Sequence, residues 1–157
     1  MPATPPALGT PAPDFTLPRD GGTTLTLSAL RPGKVVLYFY PKDDTPGCTL
    51  EAQDFSARMA DFAAAGTTVI GISKDSAAKH DKFCKKHGLS VILASDEAGH
   101  TCEDYGVWIE KSMYGKTYMG IERATFLIAG DGTIARVWPK VSVKGHAEEV
   151  LEAARAL

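Results

Sequence analysis

Hydrophobic residues along this chain fall into short blocks whose spacing alternates between the two regular periods. Phe15–Leu17 and Thr24–Leu27 read as brief strands around a turn at Asp20-Gly21-Gly22. Lys34–Tyr40 is a continuous apolar run, β-branched at its start and flanked by Pro32-Gly33 and Pro41, which predicts a strand buried on both faces. Phe55, Met59 and Phe62 recur at i, i+4 and i+7 with charges between them, which predicts one helix closed by Gly66. Thr67–Ile72 predicts a second buried strand. Asp75 or Ser76 caps a helix reaching about His87 and stopped by Gly88. Ser90–Ala94 is a third such strand, and Gly99–Tyr105 a short helical segment. Residues 106–120, rich in glycine, tyrosine and methionine, read as a long loop. Ile121–Ala129 and Thr133–Trp138 predict a hairpin across Gly130-Asp131-Gly132, and Gly145–Leu157 a final amphipathic helix. The order β-β-β-α-β-α-β-α-β-β-α predicts an α/β protein: a central mixed sheet with helices on both faces and an N-terminal β-hairpin. A thioredoxin-like arrangement satisfies it.

Composition narrows the function classes. The chain has 157 residues, which fits a single domain over 1–157 preceded by an extended arm, residues 1–13, with five prolines. Net charge is −2, so there is no strong basic field to hold nucleic acid or an anionic membrane. The longest apolar run, Val35–Tyr40, is far too short to span a bilayer. The N-terminus lacks the basic patch and apolar stretch of a secretory signal, so the expected location is cytoplasmic. Three cysteines, Cys48, Cys84 and Cys102, do not make a disulfide framework, and in a reducing compartment they are structural, metal-bound or catalytic.

Cys48 has the most informative surroundings. In Pro41-Lys-Asp-Asp-Thr-Pro-Gly-Cys48-Thr-Leu-Glu51, Thr45 suits an N-cap and Pro46 the first helical position, which puts Cys48 third in the first turn. There a sulfur faces unpaired backbone amides, the positive end of the helix dipole and the Thr45 hydroxyl, all of which favour a thiolate. Asp43, Asp44 and Glu51 oppose it, so a cation from elsewhere is expected to help. The segment also follows the C-terminal end of a central strand, where open α/β sheets place their sites. A plain buried cysteine packing beside the strand is the competing reading.

Pro41, Thr45 and Cys48 match the Pro-x-x-x-Thr-x-x-Cys signature of the peroxiredoxins. The stretch from Tyr38-Phe-Tyr-Pro-Lys to Cys48-Thr resembles their Q-type branch, the bacterioferritin comigratory protein family. So do Lys111-Ser-Met-Tyr-Gly-Lys-Thr-Tyr-Met-Gly-Ile-Glu-Arg123-Ala-Thr-Phe and Val143-Lys-Gly-His146, and the resemblance runs from about Leu8 to the C-terminus. It implies a thiol peroxidase acting on hydrogen peroxide and organic hydroperoxides without metal or organic cofactor. Cys48 would be the peroxidatic nucleophile, Thr45 would hydrogen-bond thiolate and peroxide, Pro41 would shield the sulfur, and Arg123 would supply the missing cation. It further implies a thioredoxin-type dithiol reductant and a monomer. Read from the residues alone, Arg123 shares a strand face with Thr125 and Leu127 and either snorkels or meets an anion; Arg136 is a rival cation.

A sulfenic acid at Cys48 must condense with a thiol before it over-oxidises. Many Q-type members resemble one another in carrying the resolving cysteine five positions later, but here that position is Gln53. The resolver is then Cys84, as in some members that carry it on the next long helix, or an external thiol in a one-cysteine mechanism. Lys82, Lys85 and Lys86 flank Cys84 and favour its thiolate, whereas Glu97, Glu103 and Asp104 surround Cys102, which reads as structural. The stripe His80, Phe83, Cys84, His87 is equally readable as a packed helix face. A competing class is a zinc-stabilised module built on Cys84, His87, His100 and Cys102. His146 reads as a solvated surface residue, and Tyr114 and Tyr118 as loop residues that pack or line a pocket mouth.

Overall fold

The computed structural model describes residues 4–157; Pro2 of the N-terminal arm lies outside them. The apolar run at the centre of the sequence becomes β3 (Lys34–Phe39), the middle strand of a five-stranded sheet. On one side it pairs in parallel with β4 (Thr67–Ser73), which pairs in parallel with β5 (Ile92–Ser95). On the other it pairs antiparallel with β8 (Ala124–Ile128), and that with β9 (Ile134–Trp138). The sheet is therefore mixed, in the order β5-β4-β3-β8-β9. An N-terminal hairpin of β1 (Thr16–Pro18) and β2 (Thr24–Thr26) stands apart from it.

The helices divide unequally between the faces. β3, β4 and β5 follow one another outward, so two right-handed crossovers place their helices on the same side. These are α1 (Pro46–Ser56) with α2 (Met59–Ala64), and α3 (Ala77–His87); α5 (His146–Ala156) joins them. Their apolar side chains, including Phe55, Phe62, Phe83, Val150 and Leu151, close over Val36, Tyr38 and Tyr40 of β3. The opposite face, carrying Val35, Leu37 and Phe39, is covered by Phe15, Leu17 and the short α4 (Thr101–Asp104). The N-terminal segment also protects both sheet edges. Gly9 and Ala12 bond to Ile134 and Gly132 beside β9, and Asp20 bonds to Leu93 of β5.

Two predicted elements differ. Residues 106–120 are not a loop but a ribbon of β6 (Trp108–Met113) and β7 (Lys116–Ile121), paired antiparallel. Its two-residue turn, Tyr114-Gly115, has positive φ at both positions (52° and 76°), which matches the twist of a hairpin. The ribbon is mostly exposed, so it lacks the apolar alternation that marks a strand. The helix through Phe55, Met59 and Phe62 is broken at Ala57–Arg58 into α1 and α2. No glycine or proline marks the break. Arg58 Nη1 takes the Asp54 carbonyl one turn back at 2.9 Å, and the Ser56 hydroxyl accepts from the Ser90 amide at 3.0 Å, so side chains tie down the backbone at the break.

Candidate active site

The segment leaving β3 builds the site. Asp44 adopts a left-handed backbone (φ 61°), which turns the chain into α1; Thr45 is the N-cap residue, Pro46 the first helical residue and Cys48 the third. Cys48 is 1% exposed, under the sheet face that carries Tyr38 and Tyr40. The Thr45 hydroxyl does not meet the sulfur. It donates its single proton to the Lys42 carbonyl at 2.8 Å, closing the tight 42–45 turn.

Arg123 meets the sulfur instead. It does not sit on a strand face with Thr125 and Leu127, because β7 ends at Ile121 and β8 begins at Ala124, leaving Glu122 and Arg123 as the link between ribbon and central sheet. Backbone bonds from Glu122 to Val107 and from Val141 to Arg123 pin that link. Arg123 Nη2 then lies 3.3 Å from Cys48 Sγ, and Nη1 lies 2.6 Å from Glu51 Oε1. Gly47 makes room, since a Cβ there would stand 3.3 Å from Nη2. Arg136 is elsewhere, on Glu149 and over the Trp138 ring.

The acids near Cys48 separate by role. Asp43 turns away to the Tyr40 hydroxyl (2.5 Å) and to His80 Nδ1 (2.6 Å), and His80 Nε2 meets the Ala94 carbonyl at 3.0 Å. Asp44 binds Lys86 and His87, each at 2.8 Å. Only Glu51 shares the guanidinium with the sulfur. Its carboxyl is pushed up to about 7, chiefly by burial, against the pull of Arg123. Its second oxygen and the Tyr38 hydroxyl are buried without a side-chain or backbone partner among the described residues. Sequence reasoning set Glu51 against the thiolate and did not foresee Gly47 or the Asp43–His80 pair. The i, i+3 spacing of Cys48 and Glu51 was the signal available for Glu51.

Pro41 is exposed and lines a cleft of about 340 Å³ with Trp108, Lys111, Tyr118 and Met119. Tyr118 thus borders a cleft, while Tyr114 sits fully exposed at the ribbon tip.

The other cysteines lie on opposite faces of the sheet. Cys84, on α3, packs against the same apolar cluster as Cys48. The flanking lysines do not activate it. They project outward, and the sulfur faces Asp20 Oδ2 at 3.9 Å. Its thiol is pushed up to about 12 by burial first and then by Asp20, Asp43 and Asp81. Cys102 is fully buried in the cluster beneath the other face, and burial with the nearby Asp96 carboxylate raises its thiol too. The four proposed zinc ligands do not converge. His87 binds Asp44, His100 binds Asp104 at 2.8 Å, and no group of three or more metal-ligating side chains forms among the described residues. His146 is not a surface residue. It is buried, bonded to the Thr125 hydroxyl at 2.7 Å and packed edge-on against Phe55 and Trp138.

A parallel-to-antiparallel sheet of this order, with a helix-start cysteine beyond the central strand, defines a thioredoxin-like thiol protein. The AhpC/TSA family model matches residues 8–137, and the chain belongs to that family. It is 47% identical to peroxiredoxin Bcp of Xanthomonas campestris over 148 residues, 93% of this chain and 92% of that one. It is also 47% identical to peroxiredoxin Bcp of Bacillus subtilis over 145 residues, 92% of each. Solved structures of Xanthomonas campestris peroxiredoxin Q superpose with a TM-score of 0.86 at 46% identity over 90% of each chain. Among them are its C48S and C84S mutants. A further structure of the Xanthomonas bacterioferritin comigratory protein, at 45% identity, addresses alkyl peroxide reduction. The resemblance read from the Pro41–Cys48 segment and the ribbon is thereby shown, and the chain is a peroxiredoxin, a peroxidase of the oxidoreductase class. No helix is long and apolar enough to cross a membrane among the described residues.

Proposed function

We propose that this peroxidase reduces hydrogen peroxide and organic hydroperoxides through Cys48, with Cys84 as the resolving thiol and a thioredoxin-type dithiol protein as reductant. The observation that carries the first step is the Arg123 guanidinium 3.3 Å from a buried sulfur in the first turn of α1. The Cys48 thiolate attacks the terminal oxygen of the hydroperoxide, the O–O bond breaks, and the leaving alkoxide or hydroxide takes a proton. Charge moves from sulfur to oxygen along this path, so a fixed cation stabilises both ends of it. Rotation of the Thr45 side chain away from Lys42 would bring its hydroxyl to the substrate, and Pro41 would limit water at the mouth.

The sulfenic acid then condenses with the Cys84 thiol, releasing water and forming a disulfide. What supports Cys84 over Cys102 is their placement: Cys84 shares the cluster of Cys48, while Cys102 lies beneath the opposite face. The protein is expected to work as a cytoplasmic monomer.

Peroxide consumption by stopped flow, with mass mapping of the oxidised thiols, tests the assignment. Cys48→Ser should abolish fast consumption. Cys84→Ser should keep one fast turnover and lose the intramolecular disulfide, and Cys102→Ser should keep both. Fast consumption by Cys48→Ser would sink the nucleophile, and a Cys48–Cys102 disulfide would sink the resolver.

A further inference from the structure

The chain carries a net charge of −2, yet one helix reverses that sign on its outer surface. α3 holds Lys79, Lys82, Lys85 and Lys86, all exposed, against a single acid, Asp81, whose carboxylate is occupied by the Gly21 amide at 2.7 Å. Lys86 pairs with Asp44. Lys79, Lys82 and Lys85 have no acidic side chain within ion-pair distance among the described residues. Lys42, Lys79, Lys82 and Lys86 rim a cleft of about 220 Å³ between α3 and the 42–44 turn, which Asp43, Asp44 and Asp75 also line. Those three carboxylates already have partners within the protein: Asp43 has His80, Asp44 has Lys86 and His87, and Asp75 has the Ser73 hydroxyl and the Asp43 amide.

Helix stability does not account for this row. Cations in the last turn complement the helix dipole, which explains Lys85 and Lys86. Lys79 is the third residue after the Ser76 cap, where the dipole favours an acid, and Lys82 stands in the middle. Lys79, Lys82 and Lys86 also lie at spacings of three and four, where like charges repel. A counter-charge supplied by another molecule removes both penalties.

The helix that carries this row also carries Cys84. Given the reading of Cys84 as resolver, on which the inference rests, the chemistry favours that sulfur as the point of attack. Cys84 is half-buried where Cys48 is 1% exposed, so an incoming thiolate reaches it more readily, and Cys48, once released as thiolate, regains the Arg123 cation as α1 refolds. A reductant thiolate therefore bonds to Cys84 Sγ and expels Cys48 as thiolate. The second thiol of the reductant then attacks the mixed disulfide and expels Cys84, which takes a proton. Two electrons pass to this protein, and the reductant ends as a disulfide. We propose that the α3 lysine row, Lys79, Lys82 and Lys85 with Lys42 and Lys86 at its edge, is the docking surface for an acidic face of the dithiol protein that reduces the Cys48–Cys84 disulfide.

Charge reversal tests it on the intact enzyme. Lys79→Glu/Lys82→Glu/Lys85→Glu should lower kcat/KM for thioredoxin by about tenfold or more and flatten its dependence on ionic strength, as loss of steering does. The same variant should retain wild-type turnover with dithiothreitol, a small uncharged dithiol, and wild-type consumption of peroxide. Unchanged thioredoxin kinetics would overturn the docking surface, and so would an equal loss with dithiothreitol, which would place the effect in the disulfide rather than in docking. A single-cysteine thioredoxin should be trapped on Cys84. Thioredoxin-dependent turnover surviving in Cys84→Ser would overturn the resolver reading itself, a result separate from the lysine variant's.

Discussion

At the scale of single residues the site is a competition for one cation. Arg123 holds Cys48 with Nη2 and Glu51 with Nη1, and both claimants are buried. A planar fork can serve two partners at fixed angles, while a lysine ammonium is a point charge on a flexible stem. Arg123→Ala should therefore slow the peroxide step by about 10²–10³, the usual loss for one stabiliser of a developing charge, and Arg123→Lys should recover only part of it. Stopped-flow peroxide consumption across pH measures both. An Arg123→Ala enzyme with the wild-type rate and pH profile would mean that the helix start alone stabilises the sulfur. The fork depends on Gly47, because any side chain at that position presses on Nη2. A glycine early in a helix reads from sequence only as a weak spot; its reason lies in a residue 76 positions away in the chain. Cys48 in the first helical turn with Arg123 beside it follows the pattern that the motif carries, whereas the Thr45 hydroxyl turns to Lys42 and Pro41 is exposed. The destination of each acid was not legible, since Asp43 and Asp44 are drawn to His80, Lys86 and His87 of α3.

At the scale of elements, the two sulfurs of the proposed disulfide start on separate helices and face different partners. Cys48 is pinned by Arg123 in the first turn of α1, and Cys84 faces Asp20 on α3. A disulfide needs converging Cβ vectors and Cα atoms about 4.4–6.8 Å apart. One helix end must give way, and α1 is the weaker. Its N-cap Thr45 makes no side-chain bond to the helix amides, whereas Ser76 caps α3 by accepting from Lys79. Oxidation should thus speed amide exchange in residues 45–52 and around Cys84, while β3 and β4 stay protected. Hydrogen exchange on reduced and oxidised protein checks this, and equal protection of 45–52 in both forms would refute it. The elements most legible from sequence were those fixed by burial. β3, β4 and the caps of α3 read correctly because apolar runs, Ser76 and Gly88 state their roles locally, whereas the strand expected over Ile121–Ala129 begins only at Ala124, past the Glu122–Arg123 link. The β6–β7 ribbon escaped because its strands are solvent-exposed and its turn is Tyr-Gly. The α1–α2 break escaped because no glycine or proline marks it and the Ser56–Ser90 bond beside it joins residues 34 positions apart.

At the scale of the whole molecule, two buried groups on the helix-rich face make stability depend on pH with opposite signs. His146 opens α5 and ties it to β8 through Thr125 and to α1 through Phe55. Burial, helped by the Arg123 charge, lowers it from 6.5 to about 4. Between those values the unfolded chain holds a proton that the folded chain does not, so His146 removes stability as pH falls from 6.5 toward 4. Glu51 is raised from 4.5 to about 7. Between those values the folded chain holds the extra proton, so Glu51 removes stability as pH rises from 4.5 toward 7. The two slopes offset each other from 4.5 to 6.5. Replacing one group exposes the other. A His146→Gln variant should lose stability relative to its own acid-side value as pH climbs to about 7, and a Glu51→Gln variant should lose it as pH drops toward about 4. Denaturant midpoints measured across this range, taken as differences from the unmodified protein, isolate each contribution from the surface carboxylates common to all three. The His146→Gln difference should grow in the variant's favour as pH falls, and the Glu51→Gln difference should grow in its favour as pH rises. A pH-independent difference for either variant would mean that the group keeps its ordinary titration in the folded protein, through water reaching the buried face between α1 and α5.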